Sequence, residues 1–521
     1  MTVAPTPTPI PTPTATTYYV DCSAPTAGGG TSSSPLNSLS AVNATSFTAG
    51  DQILFKRGMT CSGIFMPTGS GSSGYPIVVD AYGTGAQPII DGGTNYAAMW
   101  LTDQQYWEVN NLELVGGNKY GLLVAGSATG ATLTHLHFTN LDVHGAHYVS
   151  TTRTDSGLVY IYPNGANEVM NDVVLDGVTA HDSQVSEGIM VGGGSYASTW
   201  QNMLLGDSLT IRNSTAHDVY GDGILLLNTN NGLMENNVVY HSGLCPNCGA
   251  NGGSTPGGLW EWFCHTCTVQ NNESYANSSW GQWDGGDFDI DYHTTNNIVQ
   301  YNYGHDTVGY CVSIFGAEND VTTGAIIRYN ICSNNSQMTA SQDVGEIVLN
   351  TWDGGTIDGA QIYNNTFNFN TVTPGPLLVS NNATFSGTAP VFFKNNVVYS
   401  STPLMTVTGL NFVTDYNIYW IAGNAAPQWT ANWVTYTGAA AMQATGNDVH
   451  SLFADPLLNT ATYHATGKPV LQFTPLAGSP TIGAGTNVCT GIANCTMGTQ
   501  DFFGNPIPGA KGYDIGAYQS Q

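Results

Sequence analysis

The sequence predicts an all-β chain wound as a right-handed parallel β-helix, a solenoid closed by a cap at each end. Charged residues make up only 9% of the 521 residues, whereas helical proteins of this size depend on Lys, Glu and Arg. Short alternating apolar runs bounded by Gly, Asp or Pro recur along the chain, as is typical of strands. An internal repeat of roughly 30 residues indicates a solenoid, and parallel crossovers are right-handed.

The N-terminal part predicts a linker followed by a cap. Residues 1–17 are rich in Pro and Thr, a composition typical of linkers in secreted proteins. Strand-like runs follow at 18–24, 49–63, 76–83 and 87–93. We expect a disulfide between Cys22 and Cys61 to fasten this region.

The repeat is marked by asparagines that lie 24 to 35 residues apart, namely Asn213, Asn237, Asn272, Asn302, Asn330, Asn365 and Asn396. Stacked coils place equivalent residues about 4.8 Å apart, so these side chains are expected to form a hydrogen-bonded ladder. We assign 18–420 to the β-helix. Residues 421–521 predict loops and edge strands that close its C-terminal end, with a disulfide between Cys489 and Cys495.

The coil template, the opening YYVDCSA and AGDQILFKRG segments and the ending LAGSPTIGAG to GYDIGAYQ resemble known proteins. They are similar to bacterial secreted right-handed parallel β-helix proteins, the superfamily of pectate lyases and polygalacturonases. The resemblance covers roughly residues 17–521 and implies the fold. It does not imply one reaction, because this superfamily holds lyases, hydrolases, epimerases, esterases and adhesins.

Composition restricts the partners and the compartment. Nine Lys and Arg against 36 Asp and Glu give a formal charge of −27, which disfavours nucleic acid and anionic membranes. No run of about twenty apolar residues is present to span a membrane. Ten cysteines, an even number, fit an oxidising compartment. We expect an extracellular, monomeric protein that acts on a polysaccharide.

The segment 257–293 concentrates the candidate chemistry. Phe288 and Ile290 alternate with Asp287, Asp289 and Asp291, so the three carboxylates are predicted to share the outer face of a strand. We interpret the row as catalytic. A Ca²⁺ site and a solvated acidic surface are the alternatives.

Alignment of neighbouring coils places aromatic side chains beside these acids. Trp260 aligns with Asp289, and Trp262 aligns with Asp291 and Phe315. A sugar ring stacks on Trp while a nearby carboxylate acts at the glycosidic oxygen, so this pattern predicts a carbohydrate subsite. Three further side chains complete the predicted substrate-binding set: Trp283, His293 and Trp352.

Glu261 is a fourth catalytic candidate. The alignment points it inward between two tryptophans, where burial would raise its pKa and suit it to general-acid catalysis. A one-residue slip of the strand would instead expose it.

Four cysteines, Cys245, Cys248, Cys264 and Cys267, form two CxxC pairs with the spacing of zinc ribbons. In a secreted protein, disulfides between the loop at 243–256 and the coil are the alternative, and we prefer them.

These observations favour a secreted glycoside hydrolase that uses paired carboxylates and needs no cofactor. A polysaccharide lyase using Ca²⁺ and a non-catalytic surface or adhesive β-helix are the alternatives. A lyase needs Arg, Lys or bound Ca²⁺ at a uronate carboxylate, and no Lys or Arg lies in 257–293.

Overall fold

A computed structural model shows that the chain is a right-handed parallel β-helix, as predicted. The structure describes residues 13–150, 154–195, 199–245, 256–280, 284–337, 345–369, 378–381, 388–400, 404–407, 412–431, 434–459, 467, 472–492 and 495–521. Most coils contribute one strand to each of three parallel sheets, which we call sheets 1, 2 and 3. The division of the chain at residues 17 and 420 stays a prediction.

Sheet 1 contains the first strand of each coil, starting with the first strand of the chain. Its strands are Thr17–Val20, Gln52–Lys56, Ile77–Tyr82, Trp107–Asn110, Thr132–Thr139, Val169–Asp176, Gly206–Arg212, Leu233–Glu235, Thr268–Gln270, Ile298–Gln300, Ile326–Arg328, Gln361–Tyr363, Val391–Lys394 and Phe412–Asp415.

Sheet 2 follows sheet 1 across a sharp corner. Its strands are Thr60–Ser62, Ile89–Gly93, Glu113–Gly116, Asp142–His144, Thr179–Ser183, Thr215–Val219, Val238–Tyr240, Glu273–Tyr275, Tyr303–His305, Ile331–Ser333, Thr366–Phe369, Val397–Ser400 and Ile418–Ile421.

Sheet 3 completes each coil and carries the candidate site. Its strands are Ala97–Thr102, Tyr120–Gly126, Gly157–Pro163, Glu187–Gly192, Asp222–Asn230, Leu259–His265, Phe288–Ile290, Val312–Gly316, Ile347–Thr351, Leu378–Asn381, Leu404–Val407 and Gln428–Ala431. A short extra pair, Val321–Thr323 with Thr356–Asp358, lies beyond it.

The asparagine ladder lies at the corner between sheets 1 and 2. For example, the Asn302 amide donates to the Asn330 side-chain oxygen at 3.0 Å and to the Val269 carbonyl at 2.9 Å. The prediction was wrong for Asn213, which is exposed with a φ of 52°. Ser214 holds the equivalent ladder position, and its backbone N–H donates to Asn237.

Both ends of the solenoid are covered. The N-terminal helix Leu39–Asn43 buries Leu39 and Val42 against the first coils. At the other end, the strand Val434–Thr437 pairs antiparallel with the last strand of sheet 3, and the helix Ala439–Gln443 buries Met442. Because open sheet edges pair with other chains, these elements protect the solenoid from aggregation. Short 3₁₀ helices lie at Trp200–Asn202 and Ala422–Asn424.

The C-terminal residues 472–492 and 495–521 lie along the side of the solenoid. Val488 and Met497 pack with Tyr301 and Tyr329, which directly follow strands of sheet 1, and Ile515 packs on sheet 2. Among the described residues, no helix is long and apolar enough to cross a membrane.

Candidate active site

The candidate site lies on the outer face of sheet 3. The observed register pairs Trp260 with Asp289 and Asp289 with Ser313, while Leu259 and Phe288 pair one position earlier and point into the core. The predicted alignment of Trp260 with Asp289 is therefore confirmed, whereas Asp291, predicted to align with Trp262 and Phe315, lies beyond the paired residues of its strand. The confirmed alignment arises because side chains alternate along each strand and equivalent positions stack from coil to coil.

Asp289 lies on this face, and Asp291 follows directly after the strand Phe288–Ile290. Asp289 is 9% exposed, and its Oδ1 accepts a hydrogen bond from the Ser313 hydroxyl at 2.5 Å. Asp291 is partly exposed, and its Oδ1 accepts from the Tyr292 backbone N–H at 2.9 Å. The arrangement holds two acids, two residues apart, beside an aromatic surface.

Asp287 does not share this face, so that part of the prediction was wrong. Its side chain is fully buried and points inward, where Oδ1 accepts hydrogen bonds from Ser274 (2.9 Å), Asn277 (3.1 Å) and Thr307 (2.6 Å). The paired strand begins only at Phe288, so strand alternation does not govern Asp287. Burial raises the pKa of Asp287 to about 8, despite these hydrogen bonds.

Glu261 points into the core, as the alignment predicted, and therefore away from the two aspartates. It is fully buried, and neither carboxyl oxygen has a hydrogen-bond partner. Burial raises its pKa to about 8, an effect that the nearby Asn297 amide offsets only in part. A carboxyl oxygen of Glu261 lies within 4.8 Å of the sulfurs of Cys264 and Cys267. The structure thus gives Glu261 a neutral carboxyl at neutral pH, on the side of the strand opposite to Asp289.

Two of the predicted tryptophans form the wall beside the acids. Trp260 is buried, and its indole N–H donates to Asp222 Oδ1 at 2.9 Å. Trp262 is partly exposed and contacts Tyr292 edge-to-face, with ring centroids 5.8 Å apart. Trp262 is therefore the more accessible of the two rings.

A second aromatic group continues this wall. Trp352 is 40% exposed and contacts Tyr292 at 5.6 Å and the buried Phe315 at 5.5 Å between ring centroids. Phe315 thus supports the accessible ring of Trp352 from below. Trp283 lies outside the described residues.

His293 is buried behind the wall rather than facing solvent. Its ring stacks on Trp200 at 4.4 Å, and its two nitrogens lie 2.7 Å from Asp320 and 3.2 Å from Glu318. These three neighbours were not predicted. They come from coils before and after His293, and no spacing within the sequence brings them together.

The three cysteines of this set that the structure describes are disulfide-bonded. Cys264 bonds to Cys267 within its own coil, not to the loop at 243–256 as we expected. This bond also removes both sulfurs from the predicted zinc set. Cys245 is disulfide-bonded as well, and Cys248 lies outside the described residues.

Three further disulfides fasten other parts of the fold. Cys22–Cys61 and Cys489–Cys495 confirm the sequence prediction. Cys311–Cys332 was not predicted; it links the residue just before the sheet 3 strand Val312–Gly316 to the sheet 2 strand Ile331–Ser333.

Comparison with known proteins yields structural likeness only. No family model matches the sequence, and no curated protein matches it closely. A GH136 lacto-N-biosidase from Eubacterium ramulus is similar in structure, with 23% identity, a TM-score of 0.54 and alignment over 67% of this chain. The alignment spans 63% of the length of that structure.

Weaker likenesses extend to two lyases. A pectate lyase shares 15% identity over 97% of this chain and 96% of its own, with a TM-score of 0.40. An alginate lyase from Paenibacillus sp. str. FPU-7 shares 17% identity over 64% of this chain and 99% of its own, with a TM-score of 0.37. The strand topology and the likeness to the lacto-N-biosidase structure agree on one point: this chain has the right-handed parallel β-helix fold.

Proposed function

We propose that the protein is a secreted glycoside hydrolase in which Asp289 and Asp291 supply the acid and the base. The observation that carries the proposal is the register of sheet 3, which places Trp260 and Asp289 side by side on one outer face. Trp262 lies two positions further along its strand, and the partly exposed Asp291 follows the end of the neighbouring strand.

Hydrolysis needs one carboxylic acid to protonate the leaving oxygen and one carboxylate to activate water or attack the sugar. Asp289 lies on the strand Phe288–Ile290, and Asp291 lies directly after its end. The proposed role for the two acids is that of an inverting pair, in which the carboxyl groups are about 6.5–9.5 Å apart. The hydroxyl of Ser313 fixes Asp289, while the partly exposed Trp262 and Trp352 offer rings for sugar stacking.

Charge favours a neutral sugar over a uronate. Arg328 lies buried on sheet 1, where it donates to Gln300 and Tyr363. A lyase would need a cation at the uronate carboxylate, and no Lys or Arg lies in the segment 257–293. The lyase alternative therefore requires a Ca²⁺ ion bound by Asp289 and Asp291 to neutralise the uronate carboxylate.

Secretion is part of the proposal. The described disulfides and the Pro/Thr-rich 1–17 segment fit an oxidising, extracellular location. The similarity to a lacto-N-biosidase makes oligosaccharides that carry a lacto-N-biosyl group one class of test substrate.

The test is a screen of purified protein against neutral and uronate polysaccharides and lacto-N-biosyl oligosaccharides, with and without added Ca²⁺. A hydrolase releases new reducing ends without the ultraviolet absorbance of an unsaturated product. Proton NMR of the first product anomer then distinguishes inversion from retention. Release with ultraviolet absorbance would establish a lyase instead, and binding without products would establish a non-catalytic surface protein.

A further inference from the structure

A second cluster of histidine and carboxylate side chains lies on the outer face of sheet 1, away from the candidate active site. It consists of Glu108, His135, His137 and Asp172, from the strands Trp107–Asn110, Thr132–Thr139 and Val169–Asp176. We propose that this cluster is a binding site for a divalent transition metal ion such as Zn²⁺, which neither the proposed function nor the fold requires.

The four side chains converge on one another. His135 Nε2 lies 3.0 Å from Glu108 Oε1, and His135 Nδ1 lies 2.9 Å from Asp172 Oδ2. His137 Nε2 lies 2.9 Å from the other oxygen of Asp172. Two imidazoles and two carboxylates thus meet across three adjacent strands.

The separations suit a metal. Two ligand atoms that are each about 2.1 Å from Zn²⁺ lie roughly 3.0–3.4 Å apart in common geometries. The His135–Glu108 separation of 3.0 Å falls in this range. One donor atom each from Glu108, His135 and His137 lies within 4.8 Å of the others, and these three side chains form the proposed His₂Glu ligand set.

Asp172 then acts as the orienting carboxylate. When His135 ligates through Nε2, its Nδ1–H donates to Asp172, the arrangement that fixes ring orientation in many metal sites. The two carboxylates therefore lie on opposite sides of the His135 ring, Glu108 beside the proposed ion and Asp172 behind the imidazole.

The cluster is accessible but restrained. The side chains of His135 and His137 are 24% and 26% exposed, so an ion can reach their nitrogens. Tyr106 stacks on the His135 ring at 5.7 Å between centroids. Such support keeps the imidazole in place and lowers the entropy lost on binding.

Another group of similar composition, Asp142, His144 and His181 on sheet 2, differs in geometry. Its two imidazoles lie parallel, 4.8 Å apart, within a continuous stack of rings. Their Nε2 atoms are directed at separate carboxylates, Glu113 and Asp142. This group is therefore a structural ladder, and it provides the matched control.

The experiment uses the full chain without a histidine tag, stripped with EDTA and desalted. Calorimetric titration with Zn²⁺ should show one saturable site, weakened at least tenfold by His135→Gln and by His137→Gln. His181→Gln and His450→Gln should bind Zn²⁺ as the unmodified chain does. Loaded with Cu²⁺, the protein should give an EPR spectrum with coupling to two imidazole nitrogens.

Other outcomes overturn the proposal. Absence of saturable binding, unchanged affinity in both variants, or loss confined to His181→Gln would each do so. Circular dichroism of the metal-free variants verifies folding. If a histidine variant does not fold, Glu108→Gln should lower the affinity in its place, and unchanged affinity there is equally decisive. Because the site lies on sheet 1, its failure leaves the proposed hydrolase activity unaffected.

Discussion

Trp260 and Asp289 are register partners on adjacent parallel strands, so an indole and a carboxylate lie side by side on the outer face of sheet 3. Each is held by a second residue. Trp260 donates to Asp222, and Asp289 accepts from Ser313. The pair is thus oriented before any substrate arrives, and preorganisation of this kind is what acid–base catalysis on a rigid scaffold requires.

Replacement of the two outer aspartates should abolish turnover. Asp289→Asn and Asp291→Asn are each expected to lower kcat by roughly 10²–10⁴-fold, because either change removes one partner of the acid–base pair. Ser313→Ala should cause a smaller loss, since it removes only the hydrogen bond that orients Asp289. Steady-state kinetics on the substrate identified by the screen provides the measurement.

The control for these variants is Asp353→Asn, which removes an exposed carboxyl and should leave kcat unchanged. Full activity in both Asp289→Asn and Asp291→Asn would exclude this face from the mechanism. If both lose thermal stability together with activity and excess Ca²⁺ restores them, the pair binds calcium instead.

Substitution of Trp260 should mainly lower stability, whereas substitution of Trp352 should mainly weaken substrate binding. Trp260 is 7% exposed, and Trp260→Ala should cost about 3–5 kcal/mol of stability by opening a cavity. Trp352→Ala should raise KM with little effect on stability, because that ring is 40% exposed. Denaturant unfolding alongside kinetics distinguishes the two, and equal destabilisation by both variants would contradict this division.

The buried carboxyls should make the fold less stable at alkaline than at acidic pH. Burial raises the pKa of Glu261, Asp287 and Glu346 to about 8 each. Between their ordinary pKa of about 4 and this value, the unfolded chain releases protons that the folded chain keeps, so stability falls as pH rises. Each group changes the free energy of unfolding by on the order of a few kcal/mol. This contribution to stability is complete below about pH 4 and is lost once the pH passes about 8.

Thermal unfolding at intervals between pH 5 and pH 8.5 checks this expectation. Glu261→Gln keeps the side-chain shape without an ionisable group, so its melting temperature should depend less on pH than that of the unmodified chain. Asp353→Asn is again the matched control and should retain the full dependence. An unchanged slope in Glu261→Gln would show that Glu261 is ionised in the fold.

The disulfide assignment is open to direct measurement. Peptide mapping under non-reducing conditions should recover Cys264 linked to Cys267 and Cys311 linked to Cys332. Removal of the second bond by a double Ser substitution should cost about 2–4 kcal/mol. Recovery of free thiols at 264 and 267 together with bound zinc would restore the zinc interpretation.

The asparagine ladder should contribute measurably to stability. Asn302 both donates to Asn330 and accepts from the Asn272 backbone N–H and amide. Asn302→Ala removes the amide that bonds to Asn272 and Asn330, so these buried polar groups lose a hydrogen-bond partner. Each group left unsatisfied costs about 1–3 kcal/mol of stability. Asn118→Ala, at an exposed position, should have a negligible effect in the same denaturant titration.

The sequence by itself determined the solenoid and the outer alignment of Trp260 with Asp289. Both depend on local patterns, because strand alternation has a period of two and the coil repeat puts equivalent positions in adjacent strands. The inward position of Glu261 followed from the same alternation.

Only the tertiary structure decided which way Asp287 points, because the alternating strand begins one residue later and the side chain finds its hydrogen-bond donors in sheet 2 and the turns that follow it. It also decided the burial of His293, whose neighbours Trp200, Glu318 and Asp320 come from other coils. The pairing of Cys264 with Cys267 likewise depends on how closely the strand end and the next corner approach. Contacts between coils of unequal length have no fixed spacing in the sequence, and the folded chain is what brings their residues together.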